Sequence, residues 1–337
     1  MSETLIITEE HIKKNLSIKD ILEIVEKTYL WYSNKEVVMP AKITTDMAIF
    51  GIPSWINAMP SYIKPLDSLG IKWAGGFSKN RERGLPYIMA YVLLNDSQTG
   101  VLKALVEANW LSDIRTGAQT AVSAKYLAEN PKVVAIIGAG AQGISTAKCM
   151  LELFPLEEIK IFDINMAACE NFARIIGENS AVPISINNSI EAACRDADVL
   201  VTVTDADGAL VKEKWVKPGA FVSAKGSYQE LDETLVFQSK LYVDHLDQNL
   251  HRGEFLKYFQ DGRLTKESIV GEIGDVISGK VAGRESEEER IVASLIGMGC
   301  LDVAIAAICY QKVIEAGVAD LQKVQLTYGM CRPIRAN

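Results

Sequence analysis

Lys132-Val133-Val134-Ala135-Ile136-Ile137-Gly138-Ala139-Gly140-Ala141-Gln142-Gly143 decides the fold. A short apolar run enters a G-x-G-x-x-G turn, and a helical pattern continues from Ile144 to Leu153. The next apolar run, Ile159-Lys160-Ile161-Phe162, ends in Asp163, twenty residues past Gly143. Each part has a task in holding a dinucleotide. Gly138 allows the tight strand-to-helix turn, Gly140 lets backbone approach a pyrophosphate, and Gly143 lets helix pack closely on strand. The free N–H groups at the helix start, from Ala141 and Gln142 onward, face the phosphates. A carboxylate at Asp163 accepts from the ribose hydroxyls and repels a 2′-phosphate. Ile164, Asn165 and Met166 follow it with no cation, so NAD(H) is expected rather than NADP(H).

Outward from this turn, residues 132–243 alternate strand and helix. Strands are expected at 133–137, 159–162, 199–204, 219–224 and 241–244, with helices over Met166–Gly177 and Ser189–Arg195 between them. That alternation predicts an α/β Rossmann fold, a doubly wound parallel sheet. The N-terminal third differs. A helix is expected from Ile18 to Tyr32, then strands at Lys42–Ile49, Trp55–Met59, Ile71–Ala74, Tyr87–Leu94 and Val101–Val106, and a helix over Leu111–Ala128. This predicts an α+β unit on a mostly antiparallel sheet. Glu285–Arg290 is a charge run that reads as a solvated helix start. Leu301–Ala316 is apolar on most faces and is expected to return as a buried helix onto the N-terminal unit.

At 337 residues the chain can hold two domains. Its net charge of −8 argues against nucleic acid or an anionic membrane as partner. No run approaches the roughly 18–20 apolar residues of a spanning helix, and Met1-Ser2-Glu3-Thr4 does not read as a signal peptide. Six cysteines without a C-x-x-C pair read as thiols of a cytoplasmic protein. Three histidines at no ligand spacing give no metal site, and the absence of G-x-S-x-G disfavours a serine hydrolase.

With these segments in place, the chain resembles the ornithine cyclodeaminase/mu-crystallin family. The resemblance rests on Met39-Pro40-Ala41-Lys42, Met59-Pro60, Gly70-Ile71-Lys72-Trp73, Gly84-Leu85-Pro86, Leu111-Ser112-Asp113-Ile114-Arg115-Thr116-Gly117-Ala118, the glycine turn, Gly271-Glu272-Ile273-Gly274-Asp275 and Gly297-Met298-Gly299-Cys300-Leu301-Asp302. It implies a substrate-binding and dimerisation domain of residues 1–115 and 302–337, a Rossmann domain of residues 116–301, and a homodimer formed through the first sheet. It also implies that Lys42, Lys72 and Arg115 hold a substrate α-carboxylate, chemistry that suits a bidentate guanidinium and a desolvated ammonium. Thr116, Gly138, Gly140, Ala141, Gln142, Gly143, Asp163, Thr202, Thr204, Gly226, Gly297 and Met298 are expected to face the dinucleotide. Asn80 and Arg81 are further candidates for a ligand contact.

Three positions depart from the family pattern. Lys42 stands where many members carry Arg. Asn57 replaces the Glu that binds a distal amine in ornithine-acting enzymes. The loop Ala224-Lys225-Gly226-Ser227-Tyr228-Gln229-Glu230-Leu231-Asp232 is short, and Tyr228 falls near the position of the catalytic aspartate. Glu230 and Asp232 are nearby acids. The leading expectation is an NAD(H)-dependent oxidoreductase acting on the C–N bond of an amino or imino acid. Lys72, Arg115 and Tyr228 would be catalytic, and Asn57 would line a pocket with Trp55, Tyr62 and Phe77. The alternatives are a cyclodeaminase-type lyase with catalytic NAD⁺ and a mu-crystallin-like ligand-binding protein.

Overall fold

The computed structural model describes residues 3–206, 208–226 and 229–326. Its N-terminal part holds β1 (Thr4–Ile7), β2 (Val37–Val38), β3 (Ile43–Asp46), β4 (Ser54–Ile63), β5 (Ser68–Phe77), β6 (Ile88–Asn95) and β7 (Leu102–Glu107). From β3 to β7 successive strands pair antiparallel, and β1 adds parallel to β7. β1 was not anticipated, since four residues carry little periodicity. The expected strand at Lys42–Ile49 is cut short by a 3₁₀ turn over Ala48–Phe50.

The helix Ile18–Ser33 begins at a capping box. Ser17 Oγ accepts from the Asp20 N–H at 3.1 Å, and the Asp20 carboxylate accepts from the Ser17 N–H at 2.9 Å. In β4, Asn57, Met59, Ser61 and Ile63 are buried while the residues between them are half-buried. Register pairs Met59 with Lys72 and Asn57 with Ala74, so these four share one face. The helix Gly299–Glu315 covers that face, as its apolar pattern predicts. It lies close: a Cβ on Gly299 would stand 2.7 Å from Met59 Cβ, and one on Gly70 would stand 3.1 Å from Val303 Cγ1.

The second sheet comprises β8 (Val133–Ile137), β9 (Glu158–Phe162), β10 (Ile184–Ile186), β11 (Val199–Thr202), β12 (Phe221–Ala224), β13 (Lys240–Val243), β14 (Ile269–Glu272) and β15 (Ile291–Ser294). Its order is β10-β9-β8-β11-β12-β15-β13-β14, parallel throughout. The chain runs outward from β8 to β10 and resumes on the other side of β8 with β11. That switch opens a crevice at the carboxyl ends of β8 and β11. β10, β14 and β15 were missed, being only three or four residues long. Finally β16 (Gln322–Val324) pairs antiparallel with β1.

The helix Asn109–Leu127 joins the two parts, running unbroken past residues 115 and 116. A Cβ on its Gly117 would meet Ser145 O at 2.5 Å, so it crosses the helix Ala141–Leu153 with backbones nearly touching. One expectation is corrected here. Glu285–Arg290 does not start a helix but is the irregular approach to β15. Glu289 accepts from the Ser286 N–H and pairs with Lys240 at 2.7 Å, and Arg290 pairs with Glu213 at 2.7 Å. These charges satisfy neighbouring strands and the local turn, where Glu289 also accepts from the Glu285 N–H, rather than the i,i+4 side-chain pairs of a helix. Among the described residues no helix is long and apolar enough to cross a membrane.

Candidate active site

The glycine turn has the shape its spacing predicts. Gly138 takes φ +114°, and a Cβ there would meet Val203 O at 2.6 Å. A Cβ on Gly143 would lie 2.1 Å from Gly138 O, so the helix rests directly on the turn. Around Gly140 the position of a Cβ is open, with no atom within 4 Å. The helix Ala141–Leu153 starts there without a side-chain cap, leaving its first N–H groups for an anion. Asp163 faces the same turn, its Oδ2 accepting from the Ala139 N–H at 2.8 Å and its Oδ1 from the Asn165 N–H at 2.9 Å. An open cradle, an uncapped helix start and an adjacent carboxylate fit a dinucleotide.

Lys72 and Arg115, distant in sequence, meet on a residue that the sequence reading treated only as part of a motif. Asp302 lies in the first turn of Gly299–Glu315 and is fully buried. Its Oδ1 accepts from Lys72 Nζ at 2.6 Å, and its Oδ2 lies 3.3 Å from Arg115 Nε. Lys72 Nζ also donates to Ser112 Oγ at 2.8 Å. Burial pulls the Lys72 ammonium down to about 8, against the opposing pull of Asp302. Gly297, at φ +91°, leaves room for the Arg115 guanidinium, since a Cβ there would be 2.7 Å from Nη1. One residue earlier, the Ile296 carbonyl accepts from Lys42 Nζ at 3.0 Å. Lys42 is thereby brought to the same turn as Arg115, and burial, with help from nearby Arg252, lowers its ammonium well below the usual lysine range.

Asp244, fully buried just beyond β13, is a second hub that the sequence reading missed. Its Oδ2 accepts from the Gly297 N–H at 2.6 Å and from Gln119 Nε2 at 2.8 Å. The signal was present: like Asp163, it is an acid directly after an apolar parallel strand. Lys225, just beyond β12, donates to Gln119 Oε1 at 3.2 Å. It too was visible as a charge closing an apolar strand.

The remaining expected residues divide. Thr202 and Met298 are buried at the ends of β11 and at the start of the last helix. Thr116 is buried and its hydroxyl donates to Ser112 O at 2.8 Å. Thr204 and Gly226 are tied together by Glu230, which accepts from both of their N–H groups at 3.2 Å. Glu254 in turn holds the Glu230 and Leu231 N–H groups at 2.9 and 3.1 Å, and burial pushes its carboxyl up to about 8. Asp232 caps the short helix Glu233–Phe237. Glu230 and Asp232 are therefore committed to the scaffold. Asn57 is buried, its Oδ1 accepting from Thr44 Oγ1 at 2.6 Å. Tyr62 and Phe77 do not line a pocket with it, because strand register turns both to the opposite face. Asn80 holds its own loop through Pro86 O at 2.8 Å. Tyr228 and the Arg81 side chain lie outside the described residues.

A nucleotide-type parallel sheet joined to a second sheet bearing a buried cationic pocket defines the class of protein. The comparisons make it specific. The profile of the ornithine cyclodeaminase/mu-crystallin family matches residues 2–317, and the chain belongs to that family. It is 32% identical to the alanine dehydrogenase of Archaeoglobus fulgidus, over 94% of this chain and 98% of that one. It is 29% identical to a Delta(1)-pyrroline-2-carboxylate reductase of Bacillus cereus, over the same shares. Among solved structures, an archaeal alanine dehydrogenase dimer with bound NAD superposes at TM-score 0.90 and 31% identity, covering 96% of this chain and all of the other. The Thermococcus litoralis Delta(1)-pyrroline-2-carboxylate reductase with NADH and L-proline does so at 0.89 and 29%, covering 93% and 98%.

Proposed function

We propose that the protein is an NAD(H)-dependent oxidoreductase acting on the C–N bond of an amino or imino acid, as an amino-acid dehydrogenase or imine reductase. The observation that carries this is the buried Lys72–Asp302–Arg115 group, joined through Gly297 and Gln119 to the carboxyl ends of the nucleotide sheet. The printed activities of the relatives and the NAD or NADH in related structures support the same chemistry and cofactor. NAD(H), when bound, accepts or supplies the hydride of the reaction. Gly138, Gly140, Ala141, Gln142, Gly143 and Asp163 hold it, with Thr116, Thr202, Thr204, Gly226, Gly297 and Met298 completing its surroundings.

Arg115 and Lys42 grip the substrate α-carboxylate, while Asp302 fixes the Arg115 fork and the Lys72 ammonium. Lys72 gives a proton to the substrate in reduction and takes it back in oxidation. An ammonium held at about 8 can do both near neutral pH. Tyr228 is assigned a second donor role from its place in the sequence, and Asn57 a place in the pocket wall. Asn57 is neutral and engaged by Thr44, so it gives no ionic anchor for a distal amine. That favours an oxidoreductase over a lyase acting on ornithine.

In this reading residues 1–115 and 302–337 bind substrate and residues 116–301 bind the dinucleotide. The reading also includes a homodimer through the sheet face opposite Lys72. There Ile43, Ala58, Trp73 and Tyr91 stand side by side in register, and Ile43 and Trp73 are exposed. We place the protein in the cytoplasm, where its five described cysteines, all buried, stay reduced. The test is NADH consumption against a panel of α-keto acids with ammonium or amines, and of cyclic imines. Tight NADH binding with no turnover on any member would sink the proposal.

A further inference from the structure

We infer that the substrate carries a second anionic group besides its α-carboxylate, and that Lys225 receives it. This rests on the oxidoreductase reading and deepens it. Lys225 follows the buried strand β12, at the crevice formed by the carboxyl ends of the parallel strands. Its ammonium and the Arg115 guanidinium converge on one atom, Gln119 Oε1, at 3.2 and 3.5 Å. The Gln119 amide cannot turn away, because its nitrogen donates to Tyr29 Oη at 2.7 Å and Asp244 Oδ2 at 2.8 Å. A neutral amide oxygen does not offset two adjacent charges.

No carboxylate among the described residues stands within ion-pair distance of Lys225, Lys42 or Arg252. Lys42 feels the charges of Arg252, Arg115 and Lys72, and Lys225 that of Arg115. An amino acid's α-carboxylate answers Arg115 and Lys42. Lys225 is left facing Arg115 across the Gln119 oxygen with no carboxylate paired to it, and its ammonium is pulled well below the usual range, first by burial and then by Arg115. A second carboxylate on the substrate supplies that counter-charge and removes the repulsion. The substrate class is thus an imino or keto dicarboxylic acid, or an amine adduct bearing two acidic groups.

The test uses the purified full-length protein with NADH and ammonium, comparing pyruvate with oxaloacetate and 2-oxobutyrate with 2-oxoglutarate. The dicarboxylates should lead in kcat/KM by about tenfold or more, the scale of one charged hydrogen bond. In Lys225→Met that ratio should fall about tenfold, and Lys225→Arg should restore much of it. A wild-type preference for the monocarboxylates, or a ratio unmoved by Lys225→Met, overturns the inference. So does a rise in KM for NADH with the ratio intact, which would assign Lys225 to the cofactor. If neither these keto acids nor the cyclic imines turn over, the oxidoreductase reading fails separately. Thermal stabilisation of the protein–NADH complex by succinate against butyrate then decides the anion site. Stabilisation by succinate that Lys225→Met removes supports it, and equal responses overturn it.

Discussion

The dinucleotide turn takes its geometry from one stretch, residues 132–163, whereas the cationic pocket draws Lys72 from β5, Arg115 from the joining helix and Asp302 from the last helix. In the turn, function depends on what is missing: side chains at Gly138, Gly140 and Gly143. In the pocket it depends on charges that would repel one another without Asp302. The turn is thus a backbone device, sensitive to a single methyl group. The pocket is an electrostatic device, sensitive to a single charge.

Five experiments break or sharpen that contrast. Lys72→Ala should lower kcat by about 10²–10⁴-fold, the usual worth of a positioned acid–base group, with NADH affinity nearly intact in a fluorescence titration. Normal turnover would remove Lys72 from the chemistry. Asp302→Asn leaves two buried cations without their counter-charge and should cost about 3–5 kcal/mol of stability in urea unfolding. A loss below about 1 kcal/mol, the range of an exposed pair, would show the charges to be solvated.

Within the turn, Gly143→Ala forces a methyl against Gly138 O and should destabilise the fold by about 1–3 kcal/mol, as overpacking does. Gly140→Ala meets open space, so it should fold normally and weaken NADH binding about tenfold, or 1.4 kcal/mol. If Gly140→Ala instead unfolds the protein, the division between packing and ligand glycines is wrong. The smallest effect is graded with pH. Lys72 must carry its proton for reduction, so kcat/KM for an imine should hold below about pH 8 and fall above it. Amino-acid oxidation, which needs the free amine, should rise through the same pH. A reductive profile flat to pH 10 would assign the proton elsewhere.

Much of the architecture was legible because local patterns carry it. The capped helix Ile18–Ser33, the long strands β4 to β6 and the βα alternation after Lys132 follow period, caps and glycines that neighbours in sequence enforce. The short strands β1, β10, β14 and β15 were not legible, since each exists by pairing with partners already in place. Glu285–Arg290 misled for a related reason: its charges answer Lys240 and Glu213 across the sheet rather than each other. At the site, Lys42, Lys72 and Arg115 were named through family resemblance. Asp302, Asp244, Gln119 and Lys225 were passed over as acting groups because each depends on a contact across the fold.

By itself the sequence determined where a dinucleotide fits, since a glycine's missing side chain and an acid after a strand act through the backbone next to them. Only the tertiary structure decided which buried charges meet, which lysine is titrated toward neutrality, and which face of β4 and β5 looks into the pocket. Desolvation and Coulomb forces act through space, and at ångström range they depend on how distant segments pack.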